Sequence, residues 1–137
     1  MASQLNPYLN FNGTARQAME FYRDVFGGEL TVTTFAELGM ADGVDADKVM
    51  HSQLQTSDGY TIMGADVPEH MEFQAPAGFA VSLSGDDSTL KDYFDKLAAG
   101  GTVTMAFAKQ PWGDEFGMLT DQFGIQWMVD IAPAQSA

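Results

Sequence analysis

Histidine supplies the main candidates for acid–base or metal chemistry, because the 137 residues include two histidines and no cysteine. His51 begins the alternating segment HSQLQ. A single strand histidine is either a hydrogen-bonded structural residue or a proton donor and acceptor facing a cavity. His70 follows Pro68 and Glu69, a composition that favours a solvated loop. The absence of cysteine excludes disulfides, thiolate catalysis and cysteine-ligated zinc.

A second candidate is the tryptophan of the segment WGDE, Trp112, which precedes Gly113 and the adjacent carboxylates Asp114 and Glu115. An indole is costly to expose, so we expect Trp112 to clamp a ligand, to seal the barrel or to lie in a dimer contact. Neighbouring residues of a strand face opposite sides. Asp114 and Glu115 are therefore not expected to act together as a general acid and base.

Missing motifs exclude two further kinds of site. The chain contains no Gly-x-Ser-x-Gly nucleophile elbow for serine catalysis. The segment FGGE at residues 26–29 is better explained as the end of a helix than as a phosphate-binding loop.

Charge and hydropathy limit the possible partners. Nineteen acidic residues against six basic ones give a formal net charge of −13, and this field repels nucleic acid. No apolar run approaches the roughly 18–20 residues of a membrane helix, and residues 1–4 lack the features of a signal peptide. We therefore expect a cytoplasmic protein with neither nucleic acid nor membrane as a partner.

The chain contains an internal repeat. The segment FGGELTVTTF at residues 26–35 resembles AGGTVTMAF at residues 99–107. Each glycine pair follows an amphipathic stretch that contains two adjacent aromatic residues, Phe21-Tyr22 in one half and Tyr93-Phe94 in the other. Two half-length modules are the simplest explanation of this pattern.

Hydrophobic periodicity predicts the order strand, helix, strand, strand, strand in both modules. The first module is predicted to contain strands at 5–11, 29–35, 49–56 and 60–65, a helix at 15–26 and a loop at 36–48. The second is predicted to contain strands at 79–84, 102–107, 116–121 and 125–130, a helix at 88–99 and a loop at 108–115. The predicted fold class is α+β, with tandem βαβββ modules at residues 5–66 and 78–131 joined by a linker at 67–77.

Three segments are also informative as motifs: LNPYLNFNGTARQAMEFYRDVFGGEL, KVMHSQL and PWGDEFGMLTDQFGIQWMV. They resemble the PhnB-like branch of the vicinal oxygen chelate superfamily, which includes glyoxalase I, bleomycin-resistance proteins and extradiol dioxygenases. The resemblance implies curved mixed sheets, each forming a cup, and a homodimer. Members of this branch are often labelled as a ubiquinone-pathway methyltransferase domain. However, the chain lacks a glycine-rich strand-to-helix turn for a nucleoside cofactor.

The resemblance also implies where a divalent metal would be held. In the superfamily's enzymes, His or Glu side chains on the first and last strands of each module ligate the metal. The matching positions here fall near Pro7 or Tyr8, near Met63 or Gly64, near Phe79 and at Met128. None of these offers an imidazole or a carboxylate. We therefore expect neither the superfamily's usual metal site nor a cofactor.

Two functions remain open. In the first, the protein binds a small, largely apolar or cationic organic ligand, with the cups lined by Tyr8, His51, Met63, Trp112 and Met128. In the second, it is a lyase, an isomerase or a dioxygenase-like enzyme. Such an enzyme would use His51 as acid or base, or would hold a divalent metal in a non-standard site.

Overall fold

The structure is a computed structural model that describes residues 3–39 and 46–133. The chain divides into two compact units at the Ala75–Pro76 bond. Among the described residues, each unit contains one α-helix and one four-stranded sheet with parallel and antiparallel pairs. The predicted α+β fold of two tandem modules is therefore confirmed. No helix among the described residues is long and apolar enough to span a membrane.

In the first unit, the first strand pairs with the last. The elements are β1 (Tyr8–Phe11), α1 (Ala15–Phe26), β2 (Glu29–Thr34), β3 (Val49–Gln55) and β4 (Thr61–Asp66). The strand order is β1-β4-β3-β2, in which β1 and β4 are parallel and the other pairs antiparallel. A short 3-10 helix, Ala36–Leu38, begins the predicted loop at 36–48, and residues 40–45 of that loop lie outside the described residues.

The second unit repeats this arrangement. Its elements are β5 (Val81–Gly85), α2 (Thr89–Ala98), β6 (Thr102–Lys109), β7 (Glu115–Thr120) and β8 (Gln126–Ile131). The order β5-β8-β7-β6 matches the first sheet strand for strand, with β5 and β8 parallel.

One face of each sheet is covered by the helix of its own unit. In the first unit, Leu9, Phe11, Leu54 and Ile62 are buried on this face, and in the second unit Leu83, Leu119, Trp127 and Val129 are. Side chains alternate between the faces of a strand. The residues between these buried positions therefore form the opposite side, which we call the open face of each sheet.

Three strand boundaries differ from the prediction by two residues or more. Strand β1 begins at Tyr8 instead of residue 5, because Pro7 has no N–H for the ladder and Leu5 is fully exposed. Strand β5 begins at Val81, which leaves Phe79 half-exposed before it. Strand β6 continues to Lys109, into the start of the predicted loop. The sequence pattern did not indicate this extension, because register shifts along β6 disrupt the alternation that marks a strand.

The repeated glycine pairs have two different roles. Gly27 and Gly100 have φ values of 73° and 76°, a left-handed conformation that ends each helix. A Cβ on Gly28 would collide with the carbonyl oxygen of Gln55, and one on Gly101 with that of Thr120. The second glycine of each pair therefore allows a strand to start directly against the neighbouring hairpin. From the sequence, these glycines were assigned only to the end of a helix, and this second role was not predicted.

The start of α1 is held by a carboxylate that is distant in sequence. Asp66 Oδ1 accepts hydrogen bonds from the N–H groups of Gly13 and Ala15, both at 2.9 Å, and Oδ2 accepts one from Val49 N–H at 3.0 Å. Thr14, the residue before the helix, makes no side-chain capping bond. Asp66 thus fixes β4, the start of α1 and the start of β3 together.

Candidate functional site

A row of methionines crosses the open face of the second sheet. Met105, Met118 and Met128 are register partners on β6, β7 and β8, and the row ends at Ser82 on β5. Met105 is 38% exposed, and the other two methionines are half-buried. Accessible thioethers in one line form a flexible apolar wall.

An aromatic pair lies beside this row. Phe116 is two residues from Met118 along β7, on the same face, and is the register partner of Asp130. The Trp112 ring meets the Phe116 ring edge to face, with centroids 6.2 Å apart and an interplanar angle of 63°. Trp112 remains 61% exposed, so most of the indole surface is free of contacts within this unit.

A pair of carboxyl groups borders the aromatic residues. A hydrogen bond with Asp114 raises the pKa of Asp130, and burial and the negative charge of Asp114 raise it further. Oδ1 of Asp130 has almost no accessible surface and lacks a hydrogen-bond partner, although the residue as a whole is only half-buried. Two carboxyl groups can hydrogen-bond only when one of them holds a proton. The protonated form of Asp130 is therefore favoured beside Asp114.

Removing one charge of this pair should stabilise the protein at neutral pH. The pKa of Asp130 is raised above 3.8 in the folded state. Its stabilising contribution is therefore complete below the unfolded-state pKa and is lost as the pH rises through the folded-state pKa. We expect Asp130→Asn to raise Tm by about 1–3 °C at pH 7, with solvent screening keeping the effect small, and to change it little near pH 3.

Thermal melts from pH 3 to pH 8 test this expectation. Asp86→Asn, at an exposed bend of the same unit, is the matched control for loss of one negative charge. A stability difference for Asp130→Asn that stays constant over the whole pH range would contradict the raised pKa of Asp130.

The open face of the first sheet carries a tyrosine–histidine pair. Tyr8 Oη lies 3.4 Å from His51 Nδ1, and the rings stack with centroids 5.9 Å apart at 29°. Met63 is the register partner of Tyr8 on one side and of Gln53 on the other. Burial raises the pKa of Tyr8 above 10.0, so the phenol keeps its proton at neutral pH.

A comparison with known proteins decides the family. The family model described as 3-demethylubiquinone-9 3-methyltransferase matches residues 3–130. The chain belongs to this family. Among solved structures, the protein PA1353 from Pseudomonas aeruginosa is 32% identical with a TM-score of 0.82, and the match covers 97% of this chain and 100% of that one.

Two further solved structures share the fold. A putative 3-demethylubiquinone-9 3-methyltransferase, PhnB protein, from Bacillus cereus is 24% identical with a TM-score of 0.71, covering 95% of this chain and 100% of that one. A glyoxylase/bleomycin resistance protein/dioxygenase domain from Frankia sp. EAN1pec is 14% identical with a TM-score of 0.64, covering 96% and 98%. At these identities, the two likenesses show the fold alone.

The 3-demethylubiquinone-9 3-methyltransferase family is named for a methyl transfer. The helix starts of this chain, however, do not form the turn that would hold a nucleoside cofactor. The first strand of each unit enters its helix through Asn12-Gly13-Thr14 or Asp86-Asp87-Ser88. Neither turn is the glycine-rich turn that holds a dinucleotide or nucleoside phosphate.

The positions at which superfamily enzymes hold a metal do not suit one here. Met63 and Met128 offer thioethers, which favour copper(I) over zinc, nickel, iron or manganese. Phe79 is exposed and lies before β5. Within residues 3–39 and 46–133, no group of three or more His, Cys, Asp or Glu side chains could hold a metal ion.

The structure places the five predicted site residues on two surfaces. Tyr8, His51 and Met63 lie together on the open face of the first sheet. In the second unit, Met128 lies in the methionine row, and Trp112 contacts Phe116 of the adjacent row. The other candidate histidine, His70, is exposed in a turn.

Sequence reasoning missed the carboxyl pair. Asp130 could have been found by alternation, because it follows Met128 by two residues and so shares its face. Asp114 could not, because its position depends on the turn in which Gln110 N–H donates to the Asp114 carbonyl and Gly113 N–H to the Gln110 carbonyl.

A cavity of about 400 Å³ lies elsewhere in the first unit, at the start of α1. Its lining includes Arg16, Asp47, Lys48 and Asp66 and none of the predicted site residues. The Asp66 carboxylate already accepts three backbone hydrogen bonds, so its place in this cavity has a structural explanation. The two open faces remain the better candidate sites.

Proposed function

We propose that the protein binds a small organic molecule with an apolar body and a basic nitrogen on the open face of the second sheet. The observation that carries this proposal is the accessible row of Met105, Met118 and Met128 beside the exposed Trp112. Methionine side chains adapt to the shape of an apolar ligand, and an indole offers a flat surface for stacking.

The Asp114–Asp130 pair supplies the preference for a cation. A basic nitrogen that approaches the pair relieves the repulsion between its two carboxylates. The aromatic rings of Trp112 and Phe116 lie beside this pair and favour a cation over their faces. The net charge of −13 raises the local concentration of cations further.

An enzymatic function is the second candidate, and one observation favours it. The Tyr8 hydroxyl at 3.4 Å from Nδ1 orients the His51 ring, as a positioned general acid or base requires. Binding without catalysis is preferred, because the accessible thioethers and aromatic rings of the second sheet suit an apolar ligand. The homodimer and the cytoplasmic location implied earlier stay predictions.

Tryptophan fluorescence tests the proposal, because the two tryptophans differ sharply in exposure. Trp112 is 61% exposed, whereas Trp127 is buried and donates its Nε1–H to Asp121 Oδ2 at 2.9 Å. We expect phenethylamine to change the fluorescence of the wild type saturably and to leave that of Trp112→Phe unchanged. 2-Phenylethanol, a neutral analogue of similar size, should bind about tenfold more weakly, which corresponds to about 1.4 kcal/mol.

Asp130→Asn serves as the matched variant for the charge. It should weaken binding of phenethylamine about tenfold and leave binding of 2-phenylethanol unchanged. If no compound in a panel of aromatic amines and alcohols gives a saturable signal with the wild type, the proposed function is wrong.

A further inference from the structure

The tyrosine–histidine pair of the first sheet favours the tyrosine as donor and the histidine as acceptor. The Tyr8 phenol keeps its proton at neutral pH, and a neutral imidazole nitrogen is a better acceptor than a phenol oxygen. We therefore assign the 3.4 Å contact as a hydrogen bond that Tyr8 donates to His51 Nδ1. Its length is that of a weak bond, and such contacts often shorten when a ligand is bound.

This direction fixes the proton on the other ring nitrogen. A neutral imidazole that accepts at Nδ1 carries its hydrogen on Nε2, which becomes a donor. His51 makes no other hydrogen bond within the described residues. Since His51 is only half-buried, this donor remains available to a ligand.

The surroundings of the pair are those of a binding surface rather than of a core. Tyr8 is 47% exposed on the outermost strand of the sheet. Met63 lies between Tyr8 and Gln53 in one row across the open face, and His51 is two residues from Gln53 on the same strand. The face thus combines an apolar centre with polar hydrogen-bonding side chains.

We propose that the open face of the first sheet binds a carbonyl oxygen of a small organic molecule through His51 Nε2–H, with Tyr8 as the positioning residue that fixes the tautomer. The inference rests on the proposed function in that the protein must bind small organic molecules. It adds a second ligand group that the protein recognises, a hydrogen-bond acceptor. The residues that would bind this group lie on the first sheet rather than the second.

The tautomer can be measured without any ligand by long-range 1H–15N correlation at about pH 8.5, where histidine side chains are ordinarily neutral. The chain contains two histidines, so His70→Gln assigns the spectrum. In the wild type we expect the His51 proton on Nε2 and an Nδ1 chemical shift typical of a hydrogen-bonded nitrogen. In Tyr8→Phe, the Nδ1 chemical shift should change to that of a nitrogen without this hydrogen bond. A proton on Nδ1 in the wild type would overturn the inference.

Binding is tested with acetophenone and α-methylstyrene, which have the same shape but differ in the carbonyl group. We expect acetophenone to shift the His51 Nε2 signal saturably and α-methylstyrene to leave it unchanged. Tyr8→Phe and His51→Ala should weaken acetophenone binding about fivefold to tenfold. His51→Gln should restore part of the binding, because its amide also donates.

The outcomes separate this inference from the proposed function. A Trp112 response to amines together with a silent His51 would reject the inference and leave the proposed function standing. A His51 response to acetophenone without any Trp112 response to amines would reject the second-sheet site alone. If Tyr8→Phe is too unstable to study, equal binding of acetophenone and α-methylstyrene to the wild type still rejects the carbonyl site.

Discussion

Gly101→Ala is expected to lower the free energy of unfolding by about 3 kcal/mol or more. An added Cβ would collide with the Thr120 carbonyl oxygen and lie 2.9 Å from Asp121 Cα. These are backbone atoms of the β7–β8 hairpin, so no side-chain rotation relieves the clash. The φ of Gly101 is not in the left-handed region, so the loss of stability would come from the close approach of the two strands.

Gly85→Ala provides the matched control for this substitution. Gly85 is also a strand residue of the second unit without a positive φ, and its added Cβ would meet Leu90 Cδ1 at an ordinary 3.7 Å. We expect a change within about 0.5 kcal/mol for Gly85→Ala. Urea unfolding curves of both variants measure the difference, and similar midpoints for Gly101→Ala and the wild type would contradict the close approach.

Asp66→Ala is expected to lower the free energy of unfolding by about 3–4 kcal/mol. The substitution removes the acceptor of three backbone N–H groups, from Gly13, Ala15 and Val49. Asp66 is only 5% exposed, so water cannot easily replace the carboxylate. The start of α1 and the start of β3 would lose their common anchor.

Two further variants define the origin of this effect. Asp66→Asn keeps one acceptor oxygen but places its amide group against an N–H donor. Its free energy of unfolding should therefore lie between those of Asp66→Ala and the wild type. Asp86→Ala removes a carboxylate at an exposed bend and should change stability by less than about 0.5 kcal/mol. Guanidinium unfolding is the measurement, and equal destabilisation by Asp66→Ala and Asp86→Ala would show that the anchor is unimportant.

The fold was predictable from sequence because the chain repeats the residues that constrain its backbone. Gly27-Gly28 and Gly100-Gly101 each follow a helix with one apolar stripe, and each helix was predicted within two residues. The hairpins repeat as well. Thr56 and Asp121 both accept a side-chain hydrogen bond from the backbone N–H four residues later, in Tyr60 and Ile125.

Strand ends were less predictable, because they depend on pairing partners. The alternation of residues 5–11 continues through Pro7, yet only Tyr8–Phe11 pairs with β4. In β6, the register shifts on either side of Met105 interrupt the regular alternation of apolar and polar positions. A pattern with a period of two cannot represent an extra residue, so the last part of this strand was assigned to a loop.

The strands that carry the candidate residues were predictable, but the contacts between these residues were not. Tyr8 and His51 were each singled out from their segments, but their contact requires that β1 pair with β4 next to β3. The approach of Asp114 to Asp130 similarly depends on a turn without a distinctive signature. Contacts of this kind are set by topology and loop geometry, which hydrophobic periodicity does not report.

Pairing of the first strand with the last sets an order for folding during synthesis. Strand β1 leaves the ribosome before its partner β4, which ends at Asp66, so the sheet cannot close until β2, β3 and β4 have emerged. Strand β5 waits in the same way for β8 at the far end of the second unit. Late pairing of distant strands is slow and leaves apolar surface open to aggregation. The nascent chain is therefore most vulnerable immediately before each closing strand is released.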